Sequence, residues 1–181
     1  AKKPPHVLLV YADDLRIDVS PYNPALPVPT PNLARLQAEG TTFKMAFTSE
    51  SVCAPSRFAM LTSRRPDASR LWNFLRSVRE SPAGGMSIQT LPQIFRNAGY
   101  RTVSVGKVFH WILGNVTGGG DDRVYSWDEA YLPAMGDGGL ECGTSPKLAW
   151  CSCGEKGEAP CPDQLIADGA IRALNETAAA A

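Results

Sequence analysis

The sequence predicts an α/β fold, with strands and capped helices alternating along the chain, and three observations carry that prediction. The run His6-Val7-Leu8-Leu9-Val10-Tyr11-Ala12 is continuously apolar and ends abruptly at Asp13-Asp14, the pattern of a strand buried on both faces of a sheet. Thr30 to Gly40 and Thr90 to Gly99 each open with a capping threonine, place a proline in the first turn and stop at a glycine. Directly after the second of these, Arg101-Thr102-Val103-Ser104-Val105 alternates in the manner of a strand. With 44% apolar residues in 181, the chain is long and apolar enough to enclose a core.

Each element has its local cause. Thr30-Pro31-Asn32-Leu33 begins a short helix expected to pack through Leu33 and Leu36. Phe43, Met45 and Phe47 alternate with more polar neighbours and predict a core strand leading to Cys53. Pro55 suits the first position of a helix, because its φ is preset and its missing N–H would have no partner there. Ala54 is then expected to be extended and Cys53 to sit at the helix mouth. Phe58-Ala59-Met60-Leu61 continues that helix to Ser63-Arg64-Arg65-Pro66. Thr90-Leu91-Pro92-Gln93 has the form of a capping box, with Ile94, Phe95 and Ala98 on one face.

The chain reads as a single incomplete catalytic domain in three stretches: a motif-bearing α/β core over 1–110, a Gly- and Cys-rich surface excursion over 111–162, and a helix with its tail over 163–181. A start at Ala1 reads as a processed or trimmed product. An alternating pattern that stops just after a helix reads as the N-terminal portion of something longer.

Composition narrows the function. Eighteen basic residues balance eighteen acidic ones, so no basic face is implied and nucleic acid is not an expected partner. No apolar run approaches the roughly 20 residues that span a bilayer. Cys142, Cys151, Cys153 and Cys161 crowd one segment; the Cys151-x-Cys153 spacing is tighter than structural zinc sites use, which favours disulfides in an undetermined connectivity. The sequons Asn115-Val116-Thr117 and Asn175-Glu176-Thr177 point the same way, to a glycoprotein secreted or delivered to the lysosome.

Chemistry gathers at three places. Cys53 at a helix mouth, with Arg57 one turn on, forms an anion site holding a reactive atom. The competing reading is a buried structural cysteine beside a solvated arginine. Asp13 and Asp14, at the C-terminal end of the first expected strand, are hard oxygen ligands suited to calcium or magnesium; the plainer reading makes one a turn cap and leaves the other solvated. Lys107 and His110 leave the expected strand at 101–105 at the same edge, if that strand runs parallel to the first. Taken singly, a surface lysine and a structural histidine are the ordinary interpretations.

Cys53-Ala54-Pro55-Ser56-Arg57 resembles the C-x-P-S-R signature of the type I sulfatases, and Leu61-Thr62-Ser63-Arg64 resembles the family's further L-T-G-R. The strand ending in Asp13-Asp14, the segment Pro31-Asn32-Leu33, and Gly106-Lys107-Val108-Phe109-His110 match in order. Within the family these stretches look most like the branch that removes sulfate from uronic-acid-containing polysaccharide. The resemblance implies an alkaline-phosphatase-like mixed sheet flanked by helices, and a Cys53 oxidised to formylglycine by a dedicated generating enzyme. A hydrated aldehyde suits sulfate transfer, since one hydroxyl attacks sulfur and the other expels sulfate as the carbonyl reforms.

By the same resemblance Asp13, Asp14 and residue 53 would hold calcium, Arg57 would hold the hydrate, Lys107 would bind sulfate, and His110 would act as a stabilising or protonating group. Calcium takes about six to eight oxygens, so these ligands leave its shell incomplete, and the chain by itself is expected to bind calcium weakly and turn over little substrate. Ser63 departs from the motif's glycine, with consequences expected for the helix end or for cysteine conversion. The partner expected is a sulfated polysaccharide or oligosaccharide. Rival readings are an arylsulfatase or other sugar sulfatase, a thiol enzyme using unmodified Cys53 with His110, and a non-catalytic secreted saccharide-binding module.

Overall fold

The computed structural model describes residues 4–19, 22–23, 25, 29–110, 121–133 and 162–179. The expectations for the four clustered cysteines and for the Asn115 sequon fall outside these residues. The chain divides into two compact units, Ala1–Thr48 and Ser49–Ala181.

In the first unit, α1 spans Pro31–Glu39 with Thr30 at its N-cap, as the proline and threonine predict. Leu33 and Leu36 are exposed, however, and the helix has no buried residue. The apolar run before Asp13 is not the expected buried strand: residues 4–12 form no ladder, and Val7, Leu8, Leu9 and Val10 are all exposed. Phe43, Met45 and Phe47 likewise lie exposed outside any strand, against the core strand expected of them. The physical reason is common to the two expected strands. A strand of continuous apolar residues is stabilised by neighbours on both edges and cover on both faces, and alternation alone supplies neither.

The second unit holds the core. Its organising helix, α2, spans Cys53–Thr62 and buries Ala54, Phe58 and Leu61, which recur at the spacing of one helical face. Each large apolar side chain so buried contributes about 1.5–3 kcal/mol. Around them pack Leu71, Val78, Ile88, Phe109 and Trp127, with Met60, Phe74 and Val108 at the margin. A single turn, α3 (Pro66–Ser69), follows α2. The predicted capping box opens α4 (Leu91–Asn97): Thr90 Oγ1 accepts from the Gln93 amide at 3.3 Å, and the Gln93 side chain accepts from the Thr90 amide at 3.4 Å. Gly99, at φ 87°, supplies the left-handed residue after it.

Strand β1 (Val103–Gly106) forms where alternation places it. Its neighbour is unexpected. Within the supposed surface excursion lie a short helix α5 (Arg123–Ser126) and strand β2 (Glu129–Pro133), which pairs parallel to β1 with Val103 opposite Glu129. The final helix α6 (Pro162–Ala179) agrees with the helical spacing of the sequence and lies against both strands. At Gly106 the approach is close: φ is +72° and an added Cβ would stand 2.9 Å from the Ile166 side chain. The parallel pair supports an α/β architecture, although it is far smaller than the mixed sheet the sequence predicts.

Two polar clusters explain why β2 was hard to foresee. Arg79 is buried and forks onto Asp122, with Nε–Oδ1 at 2.8 Å and Nη2–Oδ2 at 2.6 Å. The same guanidinium donates to the Ile88 carbonyl at 2.6 Å and the Gln93 side chain at 3.0 Å, and lies 4.5 Å from the centre of the Tyr125 ring. Ser126 Oγ donates to Asp122 and is 2.6 Å from Thr90 Oγ1. The second cluster centres on Asp128, which accepts from the Thr102 amide at 2.8 Å, from Thr102 Oγ1 at 3.2 Å and from Arg96 Nε at 2.9 Å. Residues 121–129 are thus positioned by side-chain polar bonds, for which hydrophobic periodicity gives no signal.

Breaking the buried pair from one side should be costly, because the remaining charge loses its partner. Asp122→Asn is expected to lose about 3 kcal/mol by chemical denaturation, and the paired replacement Arg79→Met with Asp122→Leu less than the sum of its parts. The Asp128 carboxyl is held below its ordinary value, chiefly by the Thr102 amide bond, with the Thr102 hydroxyl and Arg96 adding to it against the effect of desolvation. Its stabilising contribution is therefore full above the ordinary aspartate pKa and is lost as pH falls through the lowered folded value. The stability difference between wild type and Asp128→Asn, followed by denaturant midpoint, should shrink as pH is taken down through that window.

Candidate functional site

The signature segment occupies the N-terminus of α2. The helix starts two residues earlier than the proline predicts: Val52 is the extended N-cap, Cys53 is the first helical residue, and Ala54, expected to be extended, is helical and buried. Pro55 is tolerated at the third position because the first turn's amides have no intrahelical acceptor in any case. The Ser56 amide makes the first closing bond, to Val52 O at 3.0 Å. Cys53 remains at the helix mouth, half-buried, as a free thiol.

Arg57 turns inward. Its side chain is buried, and Nη1 donates to the backbone carbonyls of Lys107 and, at 3.1 Å, of Val108. A guanidinium cannot shed its charge, so burying it requires acceptors, and the loop after β1 presents two. The structure thereby brings three sequence-predicted residues into one arrangement: Cys53 and Arg57 on α2, and Lys107 held by its own carbonyl. His110 follows on the same loop, anchored through Phe109, which is buried and meets Trp127 edge-on at 6.3 Å between ring centres. The imidazole of His110 lies against Phe74 at 4.6 Å. Lys107 and His110 are both half-buried.

Asp13 and Asp14 belong to the first unit, where both are exposed and Asp14 has a left-handed backbone at φ 50°. Consecutive carboxylates of this kind are hard oxygen donors and fit a calcium ion in their chemistry. The carbonyl acceptors of Arg57, supplied by the loop after β1, were not foreseen from the sequence.

A Sulfatase family model matches residues 5–180, and the chain belongs to that family. It is similar to iduronate 2-sulfatase of Homo sapiens, at 46% identity over 123 residues, covering 67% of this chain and 21% of that protein. Arylsulfatase A of Bos taurus is 37% identical over 117 residues, covering 63% of the chain and 22% of the relative. N-acetylgalactosamine-6-sulfatase of Homo sapiens is 35% identical over 123 residues, with 64% and 23% covered. The chain thus spans about a fifth of the length of the curated relatives it matches.

Membership gives the departure at Ser63 a physical meaning. Ser63 caps α2 in the left-handed region, at φ 54° and ψ 28°, where a Cβ costs roughly 1–2 kcal/mol and glycine almost nothing. The glycine of the L-T-G-R motif therefore suits this helix end, and the serine here occupies it under strain. Ser63→Gly is expected to raise stability by about 1 kcal/mol, read as an increase of about 2–4 °C in thermal midpoint. An unchanged or lower midpoint would show that the serine hydroxyl compensates.

Proposed function

We propose that the chain forms part of a sulfuric ester hydrolase that removes sulfate from uronic-acid-containing saccharides. The observation that carries this reading is the sulfatase signature on α2, tied through Arg57 to the loop bearing Lys107 and His110, in a chain with iduronate 2-sulfatase among its relatives. In this reading Cys53 is converted to formylglycine, which supplies the nucleophile for sulfate transfer. Asp13 and Asp14, together with residue 53, are ligands to calcium, whose contribution is to polarise the sulfate oxygens. Lys107 binds sulfate as a point charge, His110 stabilises or protonates at the reacting group, and Arg57 fixes the backbone on which both are carried. The formylglycine-generating enzyme is a partner in maturation, and the location is secreted or lysosomal. Among the described residues no helix is long and apolar enough to cross a membrane.

A second reading, hydrolysis of aryl or other sugar sulfates, is favoured by the similarity to arylsulfatase A and to N-acetylgalactosamine-6-sulfatase. Turnover of sulfated uronic acid against sulfated hexosamine and aryl sulfate ranks the two.

Peptide mass analysis of protein made in a secretory host tests the chemistry itself. The peptide spanning residue 53 is expected to carry an aldehyde in place of the thiol. An active preparation in which that peptide holds only cysteine would sink the proposal.

A further inference from the structure

The sequon Asn175-Glu176-Thr177 has no part in the sulfatase site. An acceptor of this kind belongs on a surface loop. Here it lies inside α6, close to the helix end at Ala179. The helix turns Ala173 inward, where it is buried, and Ile166, seven residues earlier, approaches Gly106 of β1. Asn175 is exposed, two residues past Ala173 and so about 200° round the helix from it. A sugar chain on that side chain would stand in solvent and leave the packing on β1 and β2 undisturbed.

Thr177 is placed differently. It is half-buried one turn beyond Ala173, where its hydroxyl donates to the Ala173 carbonyl at 2.8 Å and accepts from Arg101 Nη1 at 3.3 Å. Transfer of an oligosaccharide to a sequon needs the asparagine amide and the threonine hydroxyl presented together. Helical residues two apart do not face each other. The folded helix therefore displays the asparagine and withholds the threonine.

We propose that Asn175 receives an N-linked oligosaccharide and that α6 closes the acceptor as it forms, so that occupancy is set by competition between sugar transfer and helix formation. The donor is a lipid-linked oligosaccharyl diphosphate. The Asn175 amide nitrogen bonds to the anomeric carbon as the bond from that carbon to the diphosphate oxygen breaks. The nitrogen gives up a proton and the lipid diphosphate leaves. This rests on the secretory location proposed above.

The test compares wild type with Ala167→Gly and Ile171→Gly, all made in the secretory host. Both positions are exposed on α6 and lie outside the sequon, and glycine weakens a helix at either. An amidase that removes N-glycans in heavy-oxygen water converts each glycosylated Asn175 to labelled aspartate, and peptide mass analysis gives the labelled fraction. Occupancy should be partial in wild type and should rise about twofold in each variant, because a helix that closes less firmly leaves the acceptor open for longer. A wild-type peptide without label would overturn the assignment of the site. Equal fractions in all three proteins, or full occupancy in wild type, would overturn the competition with α6. Failure of the secretory reading looks different: in the organism's own cells the chain would carry no glycan at Asn115 or Asn175, while the variants made in the secretory host would still exceed wild type.

Discussion

A permanent charge inside an apolar core is the constraint on which the site depends. Arg57 cannot be neutralised, and its burial beside Ala54 and Phe58 is tolerable only where acceptors replace water. The carbonyls of Lys107 and Val108 supply acceptors to Nη1. The loop after β1 is consequently held at α2 by the need to satisfy a cation, and residues that are far apart in sequence share one location. The aliphatic stem of the same side chain packs with the core, so a single residue joins packing to positioning.

The Arg79–Asp122 pair works on the same principle at a different place. It joins the 3₁₀ turn at Val78–Glu80, the carbonyl of Ile88, the Gln93 side chain and the start of α5. Residues 123–126 contain little to nucleate a helix, and β2 runs beside β1 from Glu129. The charge pair and the Asp128 bonds to Thr102 supply direction where apolar patterning supplies none. Buried polar networks of this type constrain geometry more effectively than they add stability, since desolvation offsets much of the Coulombic gain. The exposed pairs, such as Arg101 with Glu129 at 2.7 Å, contribute little beside them.

Legibility of the fold in the sequence followed the kind of interaction involved. Local signals succeeded: the Thr90 box, the Pro31 start, the Gly99 stop and the alternation of β1 are each caused by atoms within a few residues. The apolar runs at His6–Ala12 and Phe43–Phe47 failed as strands because a strand needs neighbours that its own residues cannot specify. β2 escaped notice because its placement comes from Asp122 and Asp128. At the site, Cys53 was legible from the helix start and the family motif, although the helix begins at the cysteine itself. The inward turn of Arg57 was not, because the chain fifty residues on supplies its acceptors.

The distance between Arg57 and its acceptors also sets an order of events. Helix α2 can form from local contacts as soon as its residues are available, but the arginine is enclosed only after β1 and its loop have arrived. Closing a loop of that length delays the step relative to forming the helix. During the interval the segment from Cys53 to Arg57 is accessible in a way that the finished structure abolishes, since Pro55 and Arg57 end up buried. Any factor that recognises these residues by their side chains has to act on the nascent or partly folded chain. Folding then closes access to the segment that was read.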